Sequence, residues 1–554
     1  MQIPRRAPLP APALPGASTT PAETDVVIVG GGLAGAVFAR VLAEAGMAVT
    51  CLEQGEWSSR EDYRGRHDDT EIAALGPWHA HPNRRGRKQD LLVDDTDAEM
   101  KPQFFNGVGG STILYGGHWV RFLPSDFRVR SLDGVADDWP VDWFELEPWY
   151  DQADRDFGAS GLAGDPAYPP RSSDYPMPPL PIAPWGEKVA HAHHRLGWHW
   201  WPGANSIASR PYEGRRACVQ RSTCGTGCNE GAKASVDITH WPRAIAAGAQ
   251  LLTGARACEI TLDGRGRANG VVYARDGERH RIGANIVVLA ANAIGTARLL
   301  LLSASGREPH GMANRSSLVG RRLMMHPFAR VIGFFDEPME SWQGHWGQSL
   351  TCMEFAESEP SRGFLRGAKW NLTPSGGPLA AALFPWKDAP RWGVPLHVHM
   401  AEWLGRTAIW GISCEDLPDP ANRVALHPTM TDSDGLPAVS LHYSIPDDCR
   451  RMLAFNTARA AESLRAAGAY RTETVCPVTD LGWHLLGTAR MGDDPETSVV
   501  NRWNRAHDVE NLMIVDGSTF VTGSSVNPAA TTAALALRAA HALVAARRDV
   551  RASA

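Results

Sequence analysis

A glycine-rich turn near the start of the chain, set between two predicted strands, constrains the fold more than any other feature. Residues 25–30 (Asp-Val-Val-Ile-Val-Gly) form an apolar, β-branched run typical of a buried parallel strand, and the residues that follow predict a helix and a second strand. Gly30, Gly32 and Gly35 have the G-x-G-x-x-G spacing. In such a βαβ unit the first glycine allows a tight turn, the second admits a pyrophosphate and the third permits close helix–strand packing. The pattern predicts a dinucleotide site at the helix N-terminus.

An acidic residue, Glu53, ends the second predicted strand, 21 residues after Gly32. An acid at this place accepts hydrogen bonds from an adenosine ribose and disfavours a 2′-phosphate, so NADP is not expected. A lone glycine pattern is weak evidence, whereas strand, helix, second strand and terminal acid together are specific. This unit by itself does not distinguish FAD from NAD.

Composition limits the partners and the compartment of the chain. Its 554 residues are enough for two or more domains or one large two-part fold, and 55 Lys and Arg against 61 Asp and Glu give a net charge of −6. Without long basic runs, this balance gives no electrostatic footprint for nucleic acid.

No apolar run approaches the ~18 residues of a transmembrane helix. Residues 1–23 lack the apolar core of a signal peptide and predict a disordered leader, and hence a cytoplasmic protein; export to the periplasm with a partner subunit is the alternative.

The C-terminal region holds the main candidates for catalysis. His484 lies within Gly-Trp-His-Leu-Leu-Gly-Thr, and Asp516-Gly517 follow a short apolar run. Asn527-Pro528 then opens an Ala- and Leu-rich helix to about residue 546, with Asn as a favoured N-cap and Pro suited to the first helical position. Taken alone, Asn527 has the alternative of a plain cap, and His484 that of a histidine packed between Trp483 and Leu485.

These blocks, with two others, carry a resemblance to a known family. Residues 106–112 (Asn-Gly-Val-Gly-Gly-Ser-Thr) and 287–303, which begin Val-Val-Leu-Ala-Ala-Asn, complete a set that spans almost the whole chain. In content and order the set resembles the glucose–methanol–choline (GMC) oxidoreductases. Asn527-Pro528 is similar to the His/Asn form of that family's active-site pair, as in pyranose oxidases and gluconate- and glucose-type dehydrogenases, and not to its His/His form.

The resemblance implies an α/β plus α+β fold, in which a Rossmann-like FAD-binding domain is interleaved with an antiparallel-sheet substrate domain. The FAD-binding segments are expected at residues 24–125, 215–330 and 475–554. The substrate domain is expected at residues 126–214 and 331–474.

The resemblance also implies FAD-dependent oxidation of an alcohol. His484 would be the general base for the hydroxyl proton while a hydride passes to flavin N5, since an imidazole changes protonation state near neutral pH. Asn527 would hydrogen-bond the substrate oxygen, and the dipole of the helix that begins at Pro528 would stabilise reduced flavin. The expected substrate is a secondary hydroxyl of a sugar, glycoside or cyclitol, or else a non-carbohydrate alcohol. O2, a quinone or a cytochrome is the expected electron acceptor.

Two other classes of protein compete with this hypothesis. One is a flavoprotein-like binding module that has lost catalysis, and the other is a Rossmann NAD dehydrogenase. The presence of both His484 and Asn527 argues against the first, and the C-terminal blocks argue against the second.

Further FAD contacts are implied by the family positions. Asp516 matches the region that contacts the ribityl or phosphate groups, and the backbone at Ala257 and Ala290 would meet the adenosine half. Some relatives tether FAD through a histidine after the Gly-Gly-Ser/Thr turn; that place is Leu114 here, with His118 four residues later, so non-covalent FAD is expected. The full set implied for the cofactor is Gly30, Gly32, Gly35, Glu53, Gly109, Gly110, Ser111, Ala257, Ala290, Asp516, Gly517, Asn527 and Pro528.

Three of the nine cysteines, Cys218, Cys224 and Cys228, lie within eleven residues of a Gly-, Ser- and Thr-rich segment. Thiolates so placed can ligate iron. Their spacing resembles that in FAD-dependent glucose and gluconate dehydrogenase subunits, where three cysteines hold a three-iron cluster. A loop of structural or redox-inert thiols, a disulfide and a zinc site are the alternatives.

Two more patterns lie in residues 331–474. Seven of the twenty tryptophans fall there, and their flat faces are platforms for sugar rings or fused aromatic substrates, or else ordinary core residues. His397-Val-His399 predicts a strand with both imidazoles on one face, lining the substrate cavity or holding a metal ion.

Overall fold

The computed structural model describes residues 22–383 and 389–552. The predicted leader, residues 1–23, lies outside the described residues except for its last two, and the first strand begins at Glu23. The strands are β1 (Glu23–Val29), β2 (Val49–Leu52), β3 (Val93–Asp94), β4 (Trp201–Pro202), β5 (Gln250–Leu252), β6 (Arg256–Leu262), β7 (Ala268–Arg275), β8 (Glu278–Leu289), β9 (Phe328–Phe334), β10 (Leu350–Cys352), β11 (Ala368–Thr373), β12 (Thr407–Cys414), β13 (Arg423–Thr431), β14 (Pro437–His442), β15 (Arg471–Val475) and β16 (Leu512–Ile514). The α-helices are α1 (Leu33–Glu44), α2 (Thr70–Ala73), α3 (Pro82–Arg85), α4 (Val129–Asp133), α5 (Trp143–Phe157), α6 (Ala183–Leu196), α7 (Val236–Thr239), α8 (Trp241–Ala246), α9 (Asn292–Leu302), α10 (Pro378–Leu383), α11 (Gly393–Trp403), α12 (Asp447–Ala466) and α13 (Ala529–Ala552).

A seven-stranded mixed sheet carries the glycine turn. Its strand order is β5-β2-β1-β8-β7-β6, with β16 beside the C-terminal part of β8. β1, β2, β5, β8 and β16 run parallel, whereas β7 is antiparallel to both β6 and β8. Val26, Val27 and Ile28 are fully buried, as expected for a parallel strand that is covered on both faces. The predicted βαβ unit is present as β1, α1 and β2.

A second sheet of six strands is antiparallel throughout, in the order β15-β9-β12-β11-β10-β4. Helix α12 packs against its strands β9 and β12, and α6 packs against α12. Every residue of β12 is buried, because this central strand has a partner on each side and a helix above it. The two sheets confirm the predicted fold class, a Rossmann-like sheet combined with an antiparallel substrate-domain sheet.

The strands of the two sheets come from different parts of the chain. Apart from Glu23, the seven-stranded sheet is built from the three segments predicted to bind FAD, and the six-stranded sheet comes from the predicted substrate segments except at the start of β9 and the end of β15. A small third sheet, β13-β14-β3, joins strands from both parts. The proposed domain boundaries remain a prediction.

Helix α13 packs against α1 and α5 in the core around the first sheet. In the described part of the chain it contains the one stretch, Ala529–Arg547, that is long and apolar enough to cross a membrane by length and composition. Of this stretch, 67% is buried inside the protein, and a core helix passes the same test.

The prediction for His397 and His399 was wrong. Both residues lie on helix α11, where side chains two positions apart point in nearly opposite directions. His397 is exposed and His399 is buried. Three residues are too few to distinguish a period of two from a helical period, and the strand interpretation rested on those three alone.

Candidate active site

One cavity of about 1270 Å³ runs from the glycine turn to His484 and Asn527. This volume exceeds the ~300–1,000 Å³ of ordinary small-molecule sites, as a dinucleotide together with a substrate requires. Two of the seven tryptophans in residues 331–474, Trp342 and Trp346, also line this cavity. The predicted site residues on its wall are Gly30, Gly32, Glu53, Gly110, Ser111, Ala257, Ala290, His484, Asp516, Gly517, Asn527 and Pro528, while Gly35 and Gly109 lie behind it.

The glycine turn forms an open cradle at the N-terminus of α1. Gly30 has φ +107°, and a Cβ there would lie 2.4 Å from the carbonyl oxygen of Ala290. A Cβ on Gly35 would lie 2.0 Å from the carbonyl oxygen of Gly30, so both positions require glycine for the fold itself. A Cβ on Gly32 would touch Gly110 Cα alone, at an ordinary 3.7 Å, and no side chain caps the helix. Packing of the protein therefore leaves space and N–H donors at Gly32, which fits a bound pyrophosphate.

Two buried carboxylates line the same end of the cavity. Glu53 accepts hydrogen bonds from the backbone N–H groups of Gly31 (2.7 Å) and Gly55 (2.9 Å). Asp516 accepts one from the hydroxyl of Thr296 (2.6 Å). Burial raises the pKa of both carboxyl groups, although these hydrogen bonds oppose the shift. Glu53 thus orders the glycine turn, a role that its position in the sequence did not predict, and its contact with a ribose stays a prediction.

His484 and Asn527 lie side by side at the other end of the cavity. His484 Nε2 is 3.1 Å from Asn527 Nδ2, and the imidazole packs against Phe328 with ring centroids 5.7 Å apart. Helix α13 begins at Ala529, one residue later than predicted. The Asn527 amide points to His484, so the capping interpretation of this residue was wrong. His484 comes from the long segment between β15 and β16, so the pair joins distant parts of the chain.

A second histidine, His326, sets the protonation of His484. Its Nε2 lies 3.0 Å from the carbonyl oxygen of Gly523 and its Nδ1 lies 2.8 Å from Nδ1 of His484. Burial lowers the pKa of His326 to about 3, so the ring is neutral. Because a carbonyl only accepts, the hydrogen of His326 is on Nε2, and its Nδ1 accepts from His484 Nδ1–H. His484 Nε2 is therefore left with a lone pair, which faces Asn527 Nδ2.

The backbone that presents His326 is strained and firmly held. His326 has φ +54°, a conformation that costs a non-glycine residue about 1–3 kcal/mol. The carboxylate of Asp416 accepts hydrogen bonds from the N–H of Met325 and the hydroxyl of Tyr443, both at 2.7 Å. Such strain persists where surrounding contacts over-determine it, and it is concentrated at functional sites.

The oxygen of the Asn527 amide, on the side away from His484, has two hydrogen-bond partners. Lys369 Nζ lies 2.6 Å from Oδ1 and His118 Nδ1 lies 3.2 Å from it. Lys369 also donates to Gln348 Oε1 at 2.9 Å. Burial lowers the pKa of Lys369 to about 7 and is the main reason that the pKa of His118 falls to about 3. The site thus contains one amine and three imidazoles around a single amide.

Sequence reasoning missed Lys369, His326 and Gln348, and it left His118 without a role. A lysine between apolar residues in a strand, as in Ala-Lys-Trp at 368–370, is a weak sign of a buried charge. His326 stands between Met and Pro and carries no motif. Nothing in the spacing of these residues indicates that they meet.

The three clustered cysteines pack, partly buried, on one small apolar cluster beside the cavity wall. All nine cysteines are free thiols, so the disulfide alternative was wrong. In the described ranges, no group of three or more His, Cys, Asp or Glu side chains is placed to hold a metal ion. Burial, reinforced by Cys224, raises the pKa of Cys218 to about 12. The iron–sulfur prediction therefore rests on the spacing of Cys218, Cys224 and Cys228 alone.

Known proteins match this chain over most of its length. Models described as GMC oxidoreductase match residues 24–328 and 418–536. A 2-methyl-1,2-propanediol dehydrogenase of Mycolicibacterium austroafricanum is 40% identical, with 94% of this chain and 95% of that protein covered. The fructose dehydrogenase large subunit of Gluconobacter japonicus is 30% identical, with 94% and 98% covered. Paromamine 6′-oxidase of Streptomyces fradiae is 33% identical, with 94% and 91% covered.

The fold has a counterpart among solved structures. The crystal structure of pyridoxine 4-oxidase from Mesorbium loti aligns with a TM-score of 0.63 at 19% identity, over 94% of this chain and 99% of that one. The cradle at Gly32 and the two buried acids suit the dinucleotide that the family models imply. From its two sheets, its cavity and these matches, the chain belongs to the GMC oxidoreductases, FAD-dependent enzymes that act on the CH–OH group of alcohols.

Proposed function

We propose that this chain oxidises a hydroxyl of a polyhydroxylated alcohol, a class that extends from small vicinal diols to secondary hydroxyls of sugars, glycosides and cyclitols. The observation that carries the proposal is the His484–Asn527 pair, 3.1 Å apart on the wall of the same cavity as the glycine turn. The names of the relatives, a diol dehydrogenase, a fructose dehydrogenase and a paromamine oxidase, support this substrate class. The pair matches the His/Asn form of the GMC active site.

The hydrogen-bond network supports separate roles for Asn527, as a hydrogen-bond donor, and His484, as a base. A substrate hydroxyl bound at this pair would replace their direct contact: it would receive an N–H from Asn527 Nδ2 and give its proton to the lone pair of His484 Nε2. As the O–H bond breaks, the carbon loses its hydrogen as a hydride, and the C–O bond becomes a carbonyl. Burial first, and then the neighbouring His326, Lys369 and His118, lower the pKa of His484 well below its usual value. The base is therefore unprotonated at neutral pH.

FAD, when bound, supplies the hydride acceptor. The cradle at Gly32 and Gly110 would hold its pyrophosphate, and Asp516 would lie near its ribityl or phosphate groups. Pro528 and Ala529, at the first turn of α13, line the cavity beside Asn527. The positive end of this helix dipole is placed to favour negative charge in that part of the cavity.

The rest of the cavity wall suits a substrate with several hydroxyl groups. Polar side chains of Asn371, Thr373 and Ser375 line it together with Trp342 and Trp346. Aromatic faces cover the apolar face of a sugar or a carbon chain, and the polar groups pair with its hydroxyls. A purely hydrocarbon alcohol would leave these polar groups without partners, which costs affinity.

The substrate class is tested by anaerobic bleaching of the flavin with matched alcohols. Propane-1,2-diol, 2-methyl-1,2-propanediol, fructose, gluconate and a cyclitol are compared with propan-1-ol and propan-2-ol at equal concentrations. We expect at least one of the alcohols with two or more hydroxyl groups to reduce the flavin about tenfold faster, or more, than propan-1-ol and propan-2-ol. Equal rates with mono-alcohols would contradict the proposed class and leave alcohol oxidation intact.

We propose that the FAD is held without a covalent bond. The place of the tethering histidine is Leu114, a buried residue on the cavity wall, and His118 is engaged with Asn527. Acid precipitation should release all the flavin into the supernatant. Flavin that stays with the precipitated protein would contradict this.

The spacing of Cys218, Cys224 and Cys228 is the basis of a second candidate, a dehydrogenase that passes electrons to a quinone or cytochrome through a three-iron cluster. Residues 221–223, 225 and 226 of the cysteine loop line the cavity, and Lys233 Nζ ties the carbonyl of Cys224 to those of Ile113 and Tyr115 near the flavin region. About three irons per chain in anaerobically purified protein, lost when Cys228 is replaced by Ser, would support it. Flavin without iron would leave direct transfer to O2 or another acceptor.

A further inference from the structure

Lys369 lies in β11, immediately behind Asn527 and without exposed surface. Its nitrogen contacts two amide oxygens, those of Asn527 and Gln348, and does not line the cavity. In the described part of the chain, burial is the one influence found on its pKa, and no carboxylate is paired with it. A buried amine without a carboxylate is costly to the fold. Its retention beside the active site needs a functional reason.

The direction of each hydrogen bond around Lys369 follows from the chemistry of the groups. Gln348 Nε2 donates to the carbonyl of Ala204 at 2.8 Å, which leaves Gln348 Oε1 to face Lys369. A lysine nitrogen has at least two hydrogens whether charged or neutral, enough for both oxygens. The Asn527 amide must then turn its oxygen to Lys369 and its NH2 group to His484.

We propose that Lys369 is a positioning residue for alcohol oxidation, which fixes the Asn527 amide so that Nδ2 faces His484 and the substrate oxygen. The inference rests on the proposed function of His484 and Asn527 and deepens it. Without Lys369, only the longer 3.2 Å contact with His118 Nδ1 holds the amide oxygen, and the amide rotates by half a turn more easily. Its oxygen would then face the lone pair of His484 Nε2 and the oxygen of the substrate, and both contacts are repulsive.

The charge of Lys369 has a second, measurable consequence. It lowers the pKa of His484, as do the neighbouring His326 and His118, and it acts on both of those rings in the same direction. Asn527 and Gln348, the groups in direct contact with Lys369, do not titrate. Removal of the lysine should therefore raise the pKa of His484 and move the acid limb of the activity profile to higher pH.

The test is a double-mutant cycle on the rate of anaerobic flavin reduction in the FAD-loaded protein. Lys369→Met keeps an unbranched side chain, one atom shorter, and removes its donors and charge. We expect it to slow reduction by about 10–100-fold in the wild-type background, since misplacement of one orienting group has effects of this size. In the Asn527→Ala background the same change should have less than about a threefold effect, because Lys369 acts through Asn527.

The pH profile and two further variants complete the design. With Lys369→Met, the acid limb of kcat/KM should move upward by about one pH unit. Lys188→Met, which removes an exposed lysine paired with Glu337, should reproduce the wild-type rate and limb. FAD content and Tm report folding; if Lys369→Met does not fold, Lys369→Leu, which also lacks donors and charge, undergoes the same cycle and titration.

Two results would overturn the inference: an equal slowing by Lys369→Met in both backgrounds, or an acid limb that does not move. The single variants separate this failure from that of the proposed function. If both His484→Ala and Asn527→Ala reduced their flavin at the wild-type rate, the proposed function itself would be contradicted. If those two variants reduced their flavin slowly but Lys369→Met did so at the wild-type rate, only the role of Lys369 would be contradicted.

Discussion

At the nucleotide end of the cavity, three glycines within six residues and a nearby acid create the site, whereas at the alcohol end the groups come from five separate segments. The glycines act through backbone shape and open space: a Cβ at Gly30 or Gly35 would clash with backbone, and Gly32 leaves room for a ligand. At the other end, His118, His326, Lys369, His484 and Asn527 meet through side-chain hydrogen bonds. The first site is a property of a local motif, and the second is a property of the assembled fold.

This difference predicts different consequences of mutation. Changes in the glycine turn alter the backbone and should remove the cofactor together with all activity. Changes at the alcohol end should leave the cofactor bound and alter the rate, because those side chains hold a proton and an amide in place.

The largest effect is expected for Gly30→Val. The residue has φ +107°, and any Cβ would clash with the carbonyl oxygen of Ala290 at 2.4 Å. We expect protein without FAD and without flavin-dependent activity, or protein that does not fold. The measurement is the ratio of flavin to protein after purification, with Gly46→Ala as control, since a Cβ at Gly46 meets no atom within 4 Å, although its φ is also positive. A Gly30→Val protein that retains FAD at the wild-type ratio would contradict the requirement for glycine at this position.

An intermediate effect is expected for His326→Ala. The variant loses the acceptor that keeps the hydrogen of His484 on Nδ1, so Nε2 is no longer held as the basic nitrogen. Flavin reduction should slow by about 10–100-fold while FAD content stays at the wild-type level. Loss of FAD from this variant would contradict the separation of the two ends.

The smallest effect is the position of the acid limb in the wild-type profile of kcat/KM. Burial, then the neighbouring His326, Lys369 and His118, lowers the pKa of His484 below the 6.5 of a free imidazole. The base works unprotonated, so activity should fall only when the pH drops through this lowered pKa. Nearly constant kcat/KM between pH 6.5 and 7.5 is expected from this group, and a half-maximal point at or above 6.5 would contradict it.

The contrast also explains how far the sequence could be interpreted. The βαβ unit and the fold class were predictable, because strand, turn and helix signals lie next to one another in the chain. His484 and Asn527 were named through a family resemblance. Lys369 and His326 were missed since each stands alone in its segment, and only the pairing of β11 and the strained backbone before β9 bring them to Asn527 and His484.

Two interpretations failed for a physical reason of the same kind. Asn527-Pro528 has the local pattern of a helix cap, yet its amide finds a charged donor and an imidazole in the folded protein. His397 and His399 have the local pattern of a strand, yet they lie on helix α11, with one ring exposed and the other buried. In both cases tertiary contacts decided between local alternatives.

The central claim is that His484 is the base for alcohol oxidation at a bound flavin. The most direct measurement is anaerobic single-turnover flavin reduction by His484→Ala, with a substrate from the diol and sugar panel and with the exposed His397→Ala as matched control. We expect a loss of about 10²–10⁴-fold for His484→Ala at unchanged FAD content, and wild-type rates for the control. Reduction of the His484→Ala flavin at the wild-type rate would contradict it.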